Sequence, residues 1–375
     1  MANRFEALAA PGIRNLAPYI PGKPPEQLER ELGIKDSIKL ASNENPLGPG
    51  PRALAALKDA IAGVGMYPDG SGHVLRSRLA QAHGIDISQV TLGNGSNDLL
   101  VLLAETFLTP DSEAVYSQYA FAVYPIAVQA AGAAARIPQA NAAGHRMPLG
   151  HDPAAFAAAI GSRTRLLFVA NPNNPTGTWL DERELETLLR TIPPDVIVVI
   201  DEAYHEYAVG LGVPDATRWL SRHPNLVVTR TFSKAFGLAG LRVGYSLSHP
   251  DLAELLNRVR QPFNVSVAGL AAAVAAVDDS EHLERTLAVN REGLEYLRTG
   301  LAGLGLGVLP SAANFVLCDV GRPAAPISDA LQRQGVIVRP VANYGLPNHL
   351  RITTGTRQQN ERALAAMAGA LATRA

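Results

Sequence analysis

One lysine, Lys234, stands between Ser233 and Ala235 in the run Thr231-Phe-Ser-Lys-Ala-Phe-Gly-Leu-Ala-Gly-Leu-Arg242-Val-Gly-Tyr245, with an arginine eight residues later. An amine followed by a bidentate cation suits nucleophilic chemistry beside a phosphate. The apolar run Val196-Ile-Val-Val-Ile200 ends in Asp201-Glu-Ala-Tyr204. A buried parallel strand that ends in a carboxylate carries that charge into the crevice at the carboxyl ends of an open α/β sheet. Leu166-Leu-Phe-Val-Ala170 reads as another such strand and runs into Asn171-Pro-Asn-Asn-Pro-Thr-Gly177, where two prolines and a glycine dictate a rigid turn. Val90-Thr-Leu-Gly93 leads through Asn94-Gly-Ser-Asn97 into a helical pattern over residues 98–107. Backbone amides at such a strand–glycine–helix junction form an anion site.

The elements that must position these groups follow from the patterning. Strand and helix signals alternate from about Pro46 to about Val277, which predicts an α/β large domain with a doubly wound, mostly parallel sheet. Residues 281–301 carry leucines near helical spacing and predict a long amphipathic helix that links the domains. Beyond it, residues 305–309, 315–318, 336–339 and 350–353 read as short strands, with a helix over 327–334, which makes a smaller α+β C-terminal domain. The proline-rich first 45 residues read as an extended arm. The expected organisation is therefore an arm at 1–45, a large domain at 46–277 and a small domain at 278–375.

Composition sets the surroundings. With 47% hydrophobic residues, 18% charged residues and a net charge of −1, the chain reads as compact and soluble, with no support for nucleic-acid or anionic-membrane binding. Its one cysteine, Cys318, lies in the apolar run Asn314-Phe-Val-Leu-Cys318 and is expected in a buried strand. No internal disulfide can form, which points to a reducing, cytoplasmic location. The first residues lack the apolar core of an export signal. The longest membrane candidate, residues 265–277, is interrupted by Ser266 and Gly269 and too short to span, so it is expected as a buried helix.

The four segments around Lys234, Asp201, Asn174 and Ser96, in this order, strongly resemble the fold-type I pyridoxal 5′-phosphate (PLP) aminotransferases over nearly the whole chain. Within that group the likeness is greatest to the histidinol-phosphate aminotransferases. The resemblance implies that Lys234 holds PLP as a Schiff base and shuttles the proton once released, work that suits a desolvated lysine. It implies that Asp201 pairs with the pyridine nitrogen, keeping the ring an electron sink. Tyr204 and Asn174 would hydrogen-bond the ring's phenolate oxygen. Gly95, Ser96, Asn97, Thr231, Ser233 and Arg242 would hold the cofactor phosphate. Phe121 matches the aromatic that stacks on the ring, but where many relatives have Pro-Thr-Tyr this chain has Tyr119-Ala120-Phe121, so Tyr119 competes for the role. Tyr67 matches a tyrosine that crosses a dimer interface to touch the neighbour's cofactor phosphate, which implies a homodimer with shared active sites.

For the substrate, the resemblance implies that Arg351 receives a carboxylate and that Arg339, twelve residues earlier, joins it in gripping a phosphate. A dianion rewards two guanidinium forks. Tyr19 would close over that phosphate, and Asn264 would face the substrate. The implied small-molecule substrates are L-histidinol phosphate and 2-oxoglutarate in a ping-pong transamination. Three alternatives stand beside this: an aromatic amino-acid aminotransferase with little need of Arg339, a threonine-phosphate decarboxylase that needs no keto acid, and a PLP-binding sensor. The last class normally carries a basic DNA-binding module where this chain has a short arm.

Overall fold

A computed structural model describes residues 4–372. In chain order its strands are β1 (Ile38–Lys39), β2 (Val90–Gly93), β3 (Glu113–Tyr116), β4 (Ala134–Arg136), β5 (Thr164–Ala170), β6 (Ile197–Asp201), β7 (Leu226–Thr231), β8 (Gly244–Ser248), β9 (Gly307–Val308), β10 (Phe315–Asp319), β11 (Val336–Ile337), β12 (Arg339–Val341) and β13 (Leu346–Thr353). Seven of them form one sheet in the order β2-β8-β7-β6-β5-β3-β4, in which β8 alone runs antiparallel to its neighbours. Helices on both faces explain the unbroken apolar runs Leu166–Ala170 in β5, Ile197–Ile200 in β6 and Leu226–Val228 in β7. Alternation of apolar and polar residues is absent from the middle of β5, where Leu166, Leu167, Phe168 and Val169 are all at most 1% exposed. Adjacent strands bring their carboxyl ends together, with Ala170 opposite Asp201 and Asp201 opposite Thr229. That edge carries the site.

The second sheet, β12-β13-β10-β9, is antiparallel. The helices Ser280–Gly303, Ala324–Arg333 and Arg357–Ala372 back it, over a core that includes Leu297, Val316, Leu331, Ile352 and Met367. Cys318 sits in β10, fully buried as expected, and burial pushes its thiol up to about 12, which leaves it unreactive. The long helix and the alanine-rich helix Val267–Val277 also form as expected, the latter packed against the helix Pro51–Ala60. No helix among the described residues is long and apolar enough to cross a membrane.

Three features depart from the sequence reading. Residues 336–339 form not one strand but two, because β11 pairs in parallel with β1 while β12 pairs with β13, and the chain changes partners at Val338. Nor are the first 45 residues extended throughout. A helix spans Pro25–Leu32, with proline at the first position, where the missing N–H costs nothing, and Gly33 at φ 72° closing it. It buries Leu28, and β1 follows, placing Ile38 opposite Val336. The helix Arg357–Ala372 had no expectation at all, since its buried face is mostly alanine and so gives little periodic contrast.

Candidate active site

A cavity of about 480 Å³ opens at the carboxyl ends of β5, β6 and β7, closed on one side by Arg351 of β13 and on another by residues 42–44. It gathers Tyr19, Ser96, Asn97, Phe121, Asn174, Asp201, Tyr204, Thr231, Ser233, Lys234, Arg242 and Arg351 in its wall. These come from segments at both ends and in the middle of the chain, as expected of a crevice at the carboxyl edge of an open sheet.

Lys234 lies just past the end of β7, and its Nζ donates to the Ser42 carbonyl at 3.0 Å. Burial, and next the positive charge of Arg351, hold its ammonium down to about 8 from the ordinary 10.5. The neutral amine is the nucleophile, so reactivity rises as pH climbs through the folded value. In cofactor-free protein, reductive alkylation of Lys234 by a small aldehyde, followed by peptide mass analysis, is expected to reach half its maximal rate near pH 8. A midpoint near 10.5 would contradict the buried setting.

Asp201 ends β6 and is 4% exposed. Its carboxylate accepts from the Tyr124 hydroxyl at 2.8 Å, the Ala203 amide at 3.2 Å and the Thr229 hydroxyl at 3.3 Å. All three donors are neutral, and burial raises its pKa despite them. A buried carboxylate on a cavity wall with only neutral donors is suited to a ligand that brings a positive charge, such as a protonated ring nitrogen. Phe121 lines the cavity and meets Tyr124 edge-on at 5.9 Å. Tyr119 belongs to a separate apolar cluster with Leu309 and Tyr344 and is outside the cavity wall.

The opposite end is built for an anion. Gly95 caps the helix Ser96–Phe107 at φ 80°, and a Cβ there would collide with the Arg242 guanidinium. Gly244 of β8 likewise leaves room for the backbone of Ser96. Thr231 donates its hydroxyl to Ser233 Oγ at 3.0 Å, and Arg242 Nη1 reaches the same oxygen at 3.3 Å. Hydroxyls, the helix amides and one guanidinium thus converge as they would on a phosphate.

Arg351 is 6% exposed, donates to the Asn174 side-chain oxygen and, at 2.7 Å, to the Ala41 carbonyl, and leaves its buried Nε without a partner. Arg339 lies directly opposite it across the β12–β13 pair. Arg339 Nη2 donates to the Ile20 carbonyl at 2.7 Å, and its guanidinium carbon sits 5.8 Å from the Tyr19 ring centre. It adjoins the cavity through Tyr19 rather than lining it.

Two further expected residues, Asn264 and Tyr67, lie away from this cavity. Asn264 is occupied elsewhere: its amide donates to the Leu92 carbonyl at 3.1 Å and to Asp98 at 3.0 Å, while its oxygen accepts from Arg260 at 2.7 Å. It does not line the cavity, because the turn at Phe263, with φ 57°, directs it toward the start of the Ser96–Phe107 helix. Tyr67 is 81% exposed and stacks on Phe263 at 4.6 Å, outside the cavity wall. Residues given no role from sequence turn out to matter. Tyr124 holds Asp201, and Asn43 donates to the Tyr204 hydroxyl at 2.8 Å. The signal for Asn43 was its residue type, since asparagine tolerates the left-handed backbone it adopts at φ 58°.

A seven-stranded, largely parallel sheet with a desolvated lysine, a buried carboxylate and an anion cradle at its carboxyl edge is the arrangement a pyridoxal-phosphate-dependent enzyme requires. The chain belongs to the class I and II aminotransferases, whose family pattern matches residues 35–367. It is similar to histidinol-phosphate aminotransferase 2 of Pseudomonas fluorescens Pf-5, 54% identical over 374 residues that cover 99% of this chain and 100% of the other. Histidinol-phosphate aminotransferase 2 of Pseudomonas aeruginosa is 53% identical, covering 98% and 99%. Among solved structures, the histidinol-phosphate aminotransferase of Sinorhizobium meliloti in complex with pyridoxal 5′-phosphate matches with a TM-score of 0.88 at 30% identity, covering 96% of this chain and 97% of that one.

Proposed function

We propose that this aminotransferase moves the amino group of L-histidinol phosphate to 2-oxoglutarate, releasing 3-(imidazol-4-yl)-2-oxopropyl phosphate and L-glutamate, with pyridoxal 5′-phosphate as cofactor. The observation that carries the substrate choice is the pair of nearly buried arginines, Arg339 and Arg351, set opposite each other on β12 and β13. One fork in the cavity wall, Arg351, with a second behind Tyr19, Arg339, suits a phosphate dianion in one half-reaction and carboxylates in the other. The relatives named above carry the same activity in their names.

When bound, the cofactor supplies an electron sink for the substrate carbon. Lys234 would hold it covalently and, when free, would carry a proton at Nζ to and from the substrate carbon. Asp201, aligned by Tyr124 and Thr229, keeps the ring nitrogen protonated. Tyr204 and Asn174 meet the ring oxygen, and Phe121 covers one ring face. Gly95, Ser96, Asn97, Thr231, Ser233 and Arg242 take the phosphate. Arg351 orients the substrate anion, with Arg339 and Tyr19 adding to that grip. The assembly is a cytoplasmic homodimer in which Tyr67 completes the neighbour's phosphate site. Residues 1–45, 46–277 and 278–375 serve as arm, large domain and small domain.

The test is a single-turnover titration of the cofactor-loaded protein without keto acid, followed by its visible absorption. L-Histidinol phosphate is expected to bleach the band at far lower concentration than L-phenylalanine or L-threonine phosphate. Equal or better bleaching by phenylalanine would move the enzyme to the aromatic aminotransferases, and carbon dioxide release from threonine phosphate would make it a decarboxylase. Arg339→Gln is expected to raise KM for histidinol phosphate about 30-fold, the worth of a charge-assisted hydrogen bond, while changing the phenylalanine half-reaction less than about threefold. A uniform loss with both donors would remove Arg339 from phosphate recognition.

A further inference from the structure

Asn43 is 1% exposed and lies at the join between the N-terminal segment, β13 and the cavity. Its backbone N–H donates to Thr353 Oγ1 at 3.0 Å. That oxygen's own hydrogen is therefore free, and Thr353 spends it on the Asn43 side-chain oxygen, also at 3.0 Å. The amide of Asn43 turns its oxygen toward Thr353 and its nitrogen toward Tyr204, because the flipped amide would take from the Thr353 hydroxyl the acceptor its hydrogen uses. The amide nitrogen donates to the Tyr204 hydroxyl at 2.8 Å. Asn314 holds the Asn43 carbonyl at 3.0 Å, so the residue cannot turn.

A phenol that accepts a hydrogen bond from an amide must place its own proton elsewhere. Tyr204 is 4% exposed and lines the cavity, where Lys234 Nζ sits 6.0 Å from its ring centre. We propose that Asn43 is a positioning residue that, through the fixed sequence Thr353 to Asn43 to Tyr204, makes the Tyr204 hydroxyl an obligatory donor into the cavity, aimed at the ring oxygen of the cofactor. This rests on the placement of Tyr204 beside that oxygen given above. The strand geometry makes the device compact: Thr353 lies two residues beyond Arg351 on β13, on the same face. One strand thus supplies both the substrate cation and the group that sets the direction of the tyrosine proton. The charged or titratable groups facing the Tyr204 hydroxyl are Arg351, Asp201 and Tyr344, with Lys234 over its ring. Burial keeps the phenol neutral, so its proton is available to donate.

The consequence is spectroscopic. A hydrogen bond donated to the ring oxygen favours its anionic form and lowers the pH at which the visible band of the bound cofactor changes. Asn43→Asp keeps the backbone, since aspartate also tolerates positive φ, but offers an acceptor, so the tyrosine proton turns away from the cavity. Absorption–pH titration of the cofactor-loaded enzyme is the experiment. Tyr204→Phe and Asn43→Asp are each expected to raise the midpoint by about one unit or more. Because the new carboxylate could act by charge alone, the double variant decides: it is expected to titrate within about 0.3 unit of Tyr204→Phe. Asn43→Gly, which suits φ 58° and leaves the tyrosine free to donate either way, is expected to shift less than Asn43→Asp.

An unmoved midpoint in Asn43→Asp, while Tyr204→Phe is shifted, overturns the role of Asn43 alone. So does a double variant that adds the full aspartate shift, or a glycine variant that moves as far as the aspartate one. No shift in Tyr204→Phe overturns the placement of the tyrosine itself and the proposal with it.

Discussion

Replacing Lys234 with alanine is expected to lower kcat by more than about 10⁴-fold while leaving the fold and Tm of the cofactor-free protein nearly unchanged. The lysine is the amine in the cavity wall, its Nζ held at 3.0 Å from the Ser42 carbonyl and its charge suppressed by burial. Lys39, the nearest lysine in the adjoining segment, is tied to Glu44 at 2.6 Å and does not line the cavity. Alanine therefore removes covalent attachment and proton transfer together, with no neighbour to substitute. Folding is spared because the cost of burying the amine offsets what its hydrogen bond to the Ser42 carbonyl returns. The check is steady-state turnover together with the absorption spectrum of the loaded variant. Turnover at the unaltered rate would remove Lys234 from the mechanism.

Asp201→Asn is expected to retain the cofactor yet lose about 10³-fold in kcat, a size typical of removing one preorganised electrostatic group. The amide has the shape of the carboxylate, and its oxygen can still accept from Tyr124 or Thr229. What disappears is negative charge at the end of β6, where the existing donors are all neutral. Without it a ring nitrogen has no reason to keep its proton. Cofactor content by absorbance and kcat by coupled assay separate the two effects. A variant that turns over normally would show that the charge is not needed; one that loses its cofactor would make the aspartate chiefly a binding group.

The parts of the site that lie at strand ends were legible in the sequence. Asp201, Lys234 and Asn174 each follow an apolar run, and a run of buried β-branched residues has few ways to lie except as a central parallel strand. Phe121 and Tyr119 could not be separated that way. Two aromatics two residues apart in a non-helical turn differ only in where the backbone aims them, and that is set by Asn173, whose amide holds the Tyr119 carbonyl at 2.9 Å. Asn264 misled for a related reason: its residue type suits a ligand, but Arg260 and Asp98 had prior claim on it. Tyr124 and Asn43 escaped because their value lies wholly in partners 77 and 161 residues away. The prolines of the first 45 residues hid a helix, since Pro25 begins it rather than breaking it.

The pairing of β1 with β11 also bears on how the protein is made. Ile38 leaves the ribosome long before its partner Val336, and Thr353, which anchors Asn43, follows later still. The central sheet from β2 to β8 can close while translation continues, since its strands are all in hand once Ser248 is out. The leading segment has no such option. It must wait, with its strand edge open, until Val336 has been made before the closing loop can be formed. Nascent chains that stop short of residue 353 would thus hold every strand of the central sheet but an incomplete pocket, which closes only when residues 38–43 meet residues 336–353.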